Sequence, residues 1–159
     1  MKTASISLIL IAVIMICFAA VYNHMHSVNT FKCTSQSRYH IAKNEADYNF
    51  YLTQTLQLYK DNTGFISFNG KAIHDGVVQN VNRKVLLSDG FQIDNHTLKY
   101  HNAGMRKLAT DRISNDTFQI LFTEFSNDES TLILERKRID HNAWLIGNPD
   151  VWVLTCVEY

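Results

Sequence analysis

The sequence predicts an all-β fold, a single antiparallel β-barrel or sandwich of about eight strands behind one N-terminal transmembrane helix. A charge-free apolar segment lies near the start of the chain. The residues after it mostly alternate between polar and apolar, with the period of two that is typical of strands. Clusters of Asn, Asp, Gly and Ser separate these segments at nearly regular spacing, as in antiparallel barrels. A length of 159 residues favours one domain outside the membrane.

The composition argues against several classes of protein. The chain contains 15 Lys and Arg residues and 15 Asp and Glu residues, so it is formally neutral and is not expected to bind nucleic acid through its overall charge. Only 19% of the residues are charged and 11% are aromatic, which argues against disorder. Three cysteines are too few for a small secreted disulfide scaffold.

The first predicted element is a transmembrane anchor at residues 4–22, a stretch without a charged side chain. A helix of this length measures about 28 Å at about 1.5 Å per residue, close to a hydrocarbon core of about 30 Å. The apolar core of the anchor consists of Leu8, Ile9, Leu10, Ile11, Val13, Ile14, Ile16 and Phe18.

A cleaved signal peptide is the alternative interpretation of this segment. Such a peptide needs small residues at positions −3 and −1 of its cleavage site. Cleavage after Ala20 would place Phe18 at −3, and cleavage after Ala19 would place Cys17 there. The sequence therefore favours an uncleaved anchor.

The charges that flank the anchor predict its orientation. Lys2 precedes it, whereas residues 23–31 contain neither Lys nor Arg. The positive-inside rule then places residues 1–3 in the cytoplasm as a short tail. Residues 23–30 become a tether, and residues 31–159 become a β domain in the periplasm, so the protein is expected in a bacterial inner membrane with a single span.

Two cysteines lie near the ends of the predicted external domain, Cys33 and Cys156. An oxidising compartment would let them form a disulfide, which would bring the first and last strands together. The alternative is a pair of buried free thiols. Metal binding is not favoured, because neither cysteine has a second ligand three residues on. Cys17 lies within the anchor and is interpreted as an apolar filler.

The first strands of the domain are separated by turn residues. Residues 50–58 alternate, with Phe50, Leu52, Leu56 and Leu58 on one face. Asn69-Gly70 is a hairpin-type pair. Further strands are predicted at residues 65–68, 77–87, 91–93 and 97–101. Only residues 42–47 have a helical pattern.

The last third of the domain has the clearest patterns. Residues 117–125 are almost continuously apolar, which predicts a strand that is buried on both faces. A hairpin loop at residues 127–130 leads to a strand at residues 131–139. The final strand, residues 151–157, follows a turn at residues 147–150 and is expected to place Trp152, Leu154 and Cys156 on one face.

No sequence motif indicates catalysis, a metal site or a cofactor. The glycines lie in predicted turns, and the carboxylates mostly adjoin Asn or Gly, as turn-forming residues do. We therefore do not expect an enzyme, and no ligand-binding residue is indicated. The basic run Arg136-Lys137-Arg138 predicts a solvated edge strand, with an acidic partner or anionic ligand as the alternative.

The short N-terminal tail, the single span and the terminal run Trp152-Val153-Leu154-Thr155-Cys156 support a family resemblance. On these features the chain resembles the FidL-like (YqeJ-like) inner-membrane proteins of enteric bacteria. Members of that family are typically encoded beside a membrane-spanning, winged-helix transcription regulator of the ToxR type. They look like ToxS, the small periplasmic companion of such a regulator.

The resemblance implies the first of two possible functions, and the second is an alternative to it. In the first, the chain binds and stabilises a ToxR-like regulator as a heterodimer through the periplasmic domains, with a shared pocket for a bile salt. In the second, it is a stand-alone, lipocalin-like periplasmic binder of a lipid or other apolar ligand. A carrier needs a large enclosed cavity, whereas an accessory subunit needs an exposed strand edge or apolar patch.

Overall fold

The computed structural model describes residues 2–25, 28–43, 46–126, 128 and 130–159. For residues 2–9 and 23–25 it describes the backbone alone. Within these ranges the chain forms two helices and eight strands: α1 (Lys2–Met25), β1 (Phe31–Lys43), β2 (Ala46–Leu58), β3 (Gly64–His74), β4 (Val77–Gln92), β5 (Thr97–Lys107), α2 (Asn115–Phe122), β6 (Thr131–Arg138), β7 (Ala143–Gly147) and β8 (Trp152–Glu158).

Each strand pairs with the next one in an antiparallel sense, and β8 returns to β1, so the sheet closes into a barrel. The predicted antiparallel barrel of eight strands is confirmed. The hairpins β1–β2, β2–β3 and β3–β4 pair along almost their whole length. By contrast, β6, β7 and β8 are short, so the first half of the barrel extends beyond the second half.

Alternate residues of the strands point into the barrel and form its core. On β4, for example, Val81, Val85 and Leu87 are buried while their neighbours are partly exposed. Burial of each large apolar side chain contributes about 1.5–3 kcal/mol. This period of two is the pattern that the sequence shows most clearly at residues 50–58.

The predicted strand at residues 117–125 is wrong, because its first part belongs to helix α2. The side chain of Ser114 caps this helix by accepting a hydrogen bond from the N–H of Thr117. Phe118, Leu121 and Phe122 are buried, at the spacing of one helical face. A short apolar run does not distinguish a buried strand from such a helix.

Arg83 is an inward-facing arginine of β4 that holds the loop before α2. Its Nε donates to both carboxylate oxygens of Asp111, at 3.2 and 3.1 Å. Its Nη2 donates to the carbonyl oxygens of Ile113 and Ser114, and its Nη1 to the side chain of Asn115. The buried guanidinium therefore fixes the position at which α2 starts.

One turn prediction and one helix prediction in the first half are wrong. Asn69-Gly70 lies within β3, and the two-residue turn of that region is instead Asp75-Gly76, where both residues have positive φ. Residues 42, 43, 46 and 47 belong to β1 and β2 rather than to a helix, because they continue the ladder between these strands. Residues 44–45 lie outside the described residues.

The ends of two strands also differ from the prediction. β4 continues through the expected turn at residues 88–90 as far as Gln92, with an irregular register between Ser88 and Phe91. On β8, Leu154 and Cys156 are buried as predicted, but Trp152 is 44% exposed. Trp152 pairs with Gly147 after a register shift in the ladder with β7, so it does not continue the buried face.

Candidate functional site

The seam between β1 and β8 is the weakest junction of the barrel. These strands form only two residue pairs, Cys33 with Glu158 and Thr34 with Val157. On its other side, β1 pairs with β2 from Phe31 to Lys43. Within the described ranges no strand pairs with residues 36–42 on the side of β8, and we call this stretch the open edge.

Along the open edge, the backbone N–H and C=O groups of alternate residues point toward the side that faces β8. On this side of β1, the carbonyl oxygen of Lys32 accepts a hydrogen bond from the N–H of Tyr159 at 3.2 Å. Strand geometry repeats every two residues, so the N–H and C=O groups of the other even-numbered residues face the same side. These residues are Gln36, Arg38, His40 and Ala42, and all four are exposed.

Tyr39 bridges the seam from inside the barrel. Its hydroxyl oxygen lies 3.1 Å from the Gln54 Oε1 and 3.4 Å from the carbonyl oxygen of Val153 on β8. Burial raises the pKa of Tyr39 above its ordinary value, so the hydroxyl stays protonated at neutral pH and can donate. A side chain thus connects the two strands where their backbones do not pair.

Cys33 and Cys156 form the predicted disulfide, with an S–S distance of 2.03 Å and a Cα–Cα distance of 5.6 Å. Both residues are buried, and Cys33 belongs to one of the two residue pairs of the seam. The disulfide therefore links β1 to β8 at the end of the barrel where their ladder is formed.

The strand across the seam carries exposed apolar side chains. Val151 precedes β8, Trp152 and Val157 belong to it, and Tyr159 follows it. These four residues, which we call the apolar rim, are each between 44% and 65% exposed. Val151 and Trp152 lie at the start of β8 and Val157 and Tyr159 at its end, so exposed apolar side chains flank this strand at both ends.

A groove of about 520 Å³ on the outer surface adjoins the open edge. It is lined by Gln36, Ser37, Arg38, Tyr51, Leu52, Thr53, Asn69 and Gly70. Within it, the guanidinium of Arg38 lies 4.9 Å from the centre of the Tyr51 ring. The groove therefore combines a positive charge with an aromatic surface.

The interior of the barrel is filled by side chains. Phe118 of α2 and Phe125 after it pack against Phe68 of β3, with ring centres 5.2 and 5.3 Å apart. The apolar cavity beside them has a volume of about 10 Å³, which is at most enough for one water molecule. A lipid requires a cavity of several hundred Å³.

The side chains of the basic run Arg136-Lys137-Arg138 lie on alternate faces of β6. Arg136 is partly buried and lies over the ring of Phe31. Arg138 lies over the ring of Trp144 but is exposed, as is Lys137. Burial lowers the pKa of the Arg136 guanidinium from its ordinary value. The run lies between β7, with which it pairs, and His96, whose carbonyl accepts from the Arg136 N–H.

The predicted anchor residues lie on α1. The side chains of Leu10, Ile11, Val13, Ile14, Ile16 and Phe18 are all more than half exposed. Those of Leu8 and Ile9 lie outside the described side chains. Among the residues that the structure describes, no helix combines the length and the apolar character needed to cross a membrane.

Sequence reasoning found the disulfide but missed the open edge. Residues 31–43 were not predicted as a strand, because Ser35 and Ser37 occupy inward positions and weaken the alternation. The available signal was the absence of Gly and Pro throughout this stretch, together with Thr, Tyr and Ile. Across the described residues, no group of three His, Cys, Asp or Glu side chains could hold a metal ion.

Comparison with protein families gives one match. The model of a family described as FidL-like putative membrane protein matches residues 70–156, which is more than half of the chain. The matched segment extends from within β3 to Cys156, so it contains Arg83 and α2 but not the open edge. Among curated proteins, none matches the sequence at a significant level.

Proposed function

The chain belongs to the FidL-like family, and from this premise we propose that it is a membrane-anchored accessory subunit of a ToxR-like transcription regulator. In this proposal the barrel binds the periplasmic domain of the regulator and stabilises it. The open edge of β1 is the observation that carries the proposal, because an extended segment of a partner can pair with such an edge. The proposal assigns no catalysis to this chain.

The exposed apolar side chains of α1 support the membrane attachment. We propose that this helix holds the protein in the bacterial inner membrane as a single span, with the N-terminus in the cytoplasm and residues 31–159 in the periplasm. An anchor confines both proteins to one membrane and raises their effective concentration. A weak interface at the open edge would then be sufficient.

The filled interior favours an accessory subunit over a stand-alone carrier. A lipocalin-like carrier would need an enclosed pocket, but α2 occupies the space in which such a ligand would lie. If an apolar signal such as a bile salt or a lipid is sensed, its pocket would form between the two proteins. The groove beside the open edge is one surface on which such a pocket could form.

The test compares the lifetime of the regulator encoded beside this gene in cells that carry different versions of the full chain. Gln36→Pro removes an N–H from the open edge without breaking the ladder to β2, so it should shorten the lifetime of the regulator, as deletion does. Gln36→Ala, which keeps the N–H, should leave the lifetime unchanged.

An equal lifetime of the regulator with and without this chain would overturn the accessory role. If deletion shortens the lifetime of the regulator and Gln36→Pro does not, the regulator binds elsewhere on the barrel. Correct folding of the Gln36→Pro protein is checked by its intact disulfide and its cooperative thermal unfolding.

A further inference from the structure

Strand β1 carries basic side chains and no acidic ones, namely Lys32, Arg38, His40 and Lys43. We propose that the open edge selects an extended partner segment that is acidic on its outer face and apolar on its inner face. This inference rests on the proposed function, since it names the chemistry of the segment that binds there.

Arg38 supplies the positive charge on the outer face of the open edge. Arg38 and His40 point outward, and their backbone groups face the unpaired side, so a segment bound there would lie directly beside both side chains. His40 already has a carboxylate near it, since its Nε2 lies 3.7 Å from an oxygen of Asp47. Among the described residues Arg38 has no carboxylate within ion-pair distance.

The orientation of Arg38 is compatible with a role in recognition. Its guanidinium lies over the ring of Tyr51, its neighbour on β2, where the outer groove leaves the edge of the guanidinium accessible. The flexible side chain must swing toward the unpaired side to meet a bound segment. A carboxylate on the neighbouring strand can accept two hydrogen bonds from such a group. Glutamate or aspartate at alternate positions of the partner therefore fits this face.

On the inner face of the open edge, we expect the partner segment to carry apolar side chains. Tyr39 and Ile41 are half-buried and pack against the barrel core. A segment inserted between β1 and β8 would direct alternate side chains toward these two residues. The partner segment is thus expected to alternate acidic and apolar residues.

A second copy of this chain is a poor occupant of the open edge. When two β1 edges pair, the basic side chains of one copy lie beside those of the other, and no acidic side chain of β1 offsets them. Like charges on paired strands are destabilising. The same charges that attract an acidic segment therefore oppose dimerisation through this edge.

The experiment measures binding of two short synthetic peptides to the full chain in detergent or nanodiscs. Both peptides carry valine at alternate positions, and the positions between are glutamate in one peptide and glutamine in the other. We expect the glutamate peptide to bind about three- to tenfold more tightly, as one or two exposed ion pairs would produce. The difference should shrink as ionic strength rises above about 0.1 M.

Three variants assign the preference to the open edge. Arg38→Gln should remove most of the preference for glutamate, whereas Arg106→Gln, an exposed arginine of β5, should retain it. Gln36→Pro should weaken both peptides, because it removes a backbone donor that either peptide uses.

Each contrary outcome has a separate meaning. Equal affinity for the two peptides would contradict the selectivity for acidic residues. A preference for glutamate that remains in Arg38→Gln would also contradict it. Neither result would contradict strand pairing at the open edge. Failure of both peptides to bind would overturn the open edge as the docking site. The lifetime of the regulator, measured independently, reports on the accessory role alone.

Discussion

Arg83 shows how one residue can fix the position of a whole element. Its side chain is buried at 1% exposure, and the Asp111 carboxylate that it contacts is fully buried. A buried ion pair contributes little compared with a packed apolar pair, but loss of one partner leaves an uncompensated buried charge. The N–H of Asn82 and the Nζ of Lys107 also contact Asp111 and would offset part of that loss.

We therefore predict that Arg83→Met lowers the free energy of unfolding by about 3 kcal/mol or more. The loss should include the five hydrogen bonds that the guanidinium makes and the anchoring of α2. Urea unfolding of the full chain in detergent, followed by tryptophan fluorescence, measures the change.

Arg106→Met is the matched control, because Arg106 is exposed on the neighbouring strand β5. It should change the free energy of unfolding by less than about 0.5 kcal/mol. A similar small effect of Arg83→Met would show that the buried pair does not hold α2 in place.

At the scale of one element, β3 depends on a glycine in its middle. Gly70 has a φ of 154°, and a Cβ built there would lie 2.0 Å from the carbonyl oxygen of Tyr51 on β2. Real Cβ atoms do not approach a backbone oxygen this closely, so β2 and β3 would have to move apart. Gly70 also lines the outer groove beside the open edge.

Gly70→Ala should therefore destabilise the barrel by at least about 2 kcal/mol, the range expected of an overpacked site. Gly76→Ala is the control, because Gly76 has a positive φ of 73° but nothing within 4 Å of its Cβ position. It should cost only the backbone strain of about 1 kcal/mol. Thermal unfolding of both proteins measures the difference, and equal losses would contradict the close approach.

The elements also show what the sequence can and cannot predict. The period of two identified β2, and the turn residues correctly separated the hairpins β2–β3, β4–β5 and β7–β8. The predicted count of eight strands is correct, but two errors cancel in it. The strand expected at residues 91–93 is the end of β4, and the strand expected at residues 117–125 is largely α2. The strands β1 and β7 were not predicted. Periodicity detects a regular buried face, which the inward serines of β1 interrupt.

At the scale of the whole molecule, the disulfide connects residues 123 positions apart. We predict that the double substitution Cys33→Ser and Cys156→Ser lowers the free energy of unfolding by about 3–5 kcal/mol, because the unfolded chain gains the entropy of a long loop. Urea unfolding without reductant measures the loss.

Cys17→Ser is the control, since Cys17 is a free, exposed cysteine of α1. It should leave the stability of the barrel unchanged. Equal stability of the double variant and the parent protein would show that the ladder, Tyr39 and the core hold the seam without the disulfide.

The candidate site could be predicted only in part from the sequence. The spacing of Cys33 and Cys156 near the ends of the domain was enough to place the first and last strands together. The open edge was not predictable in this way, because it exists where β1 continues after β8 has turned away. The unpaired length of β1 depends on how far β1 and β8 extend in the folded barrel, and local sequence patterns do not determine this.

The seam also has a consequence for the order of synthesis. Every other strand pair joins neighbours in the chain and can form as soon as both have emerged, but β1 must wait for β8. During synthesis, the edge of β1 that faces β8 therefore stays unpaired for the longest time, although β2 already covers the opposite edge. Its basic side chains would keep newly made copies from pairing with one another during that interval.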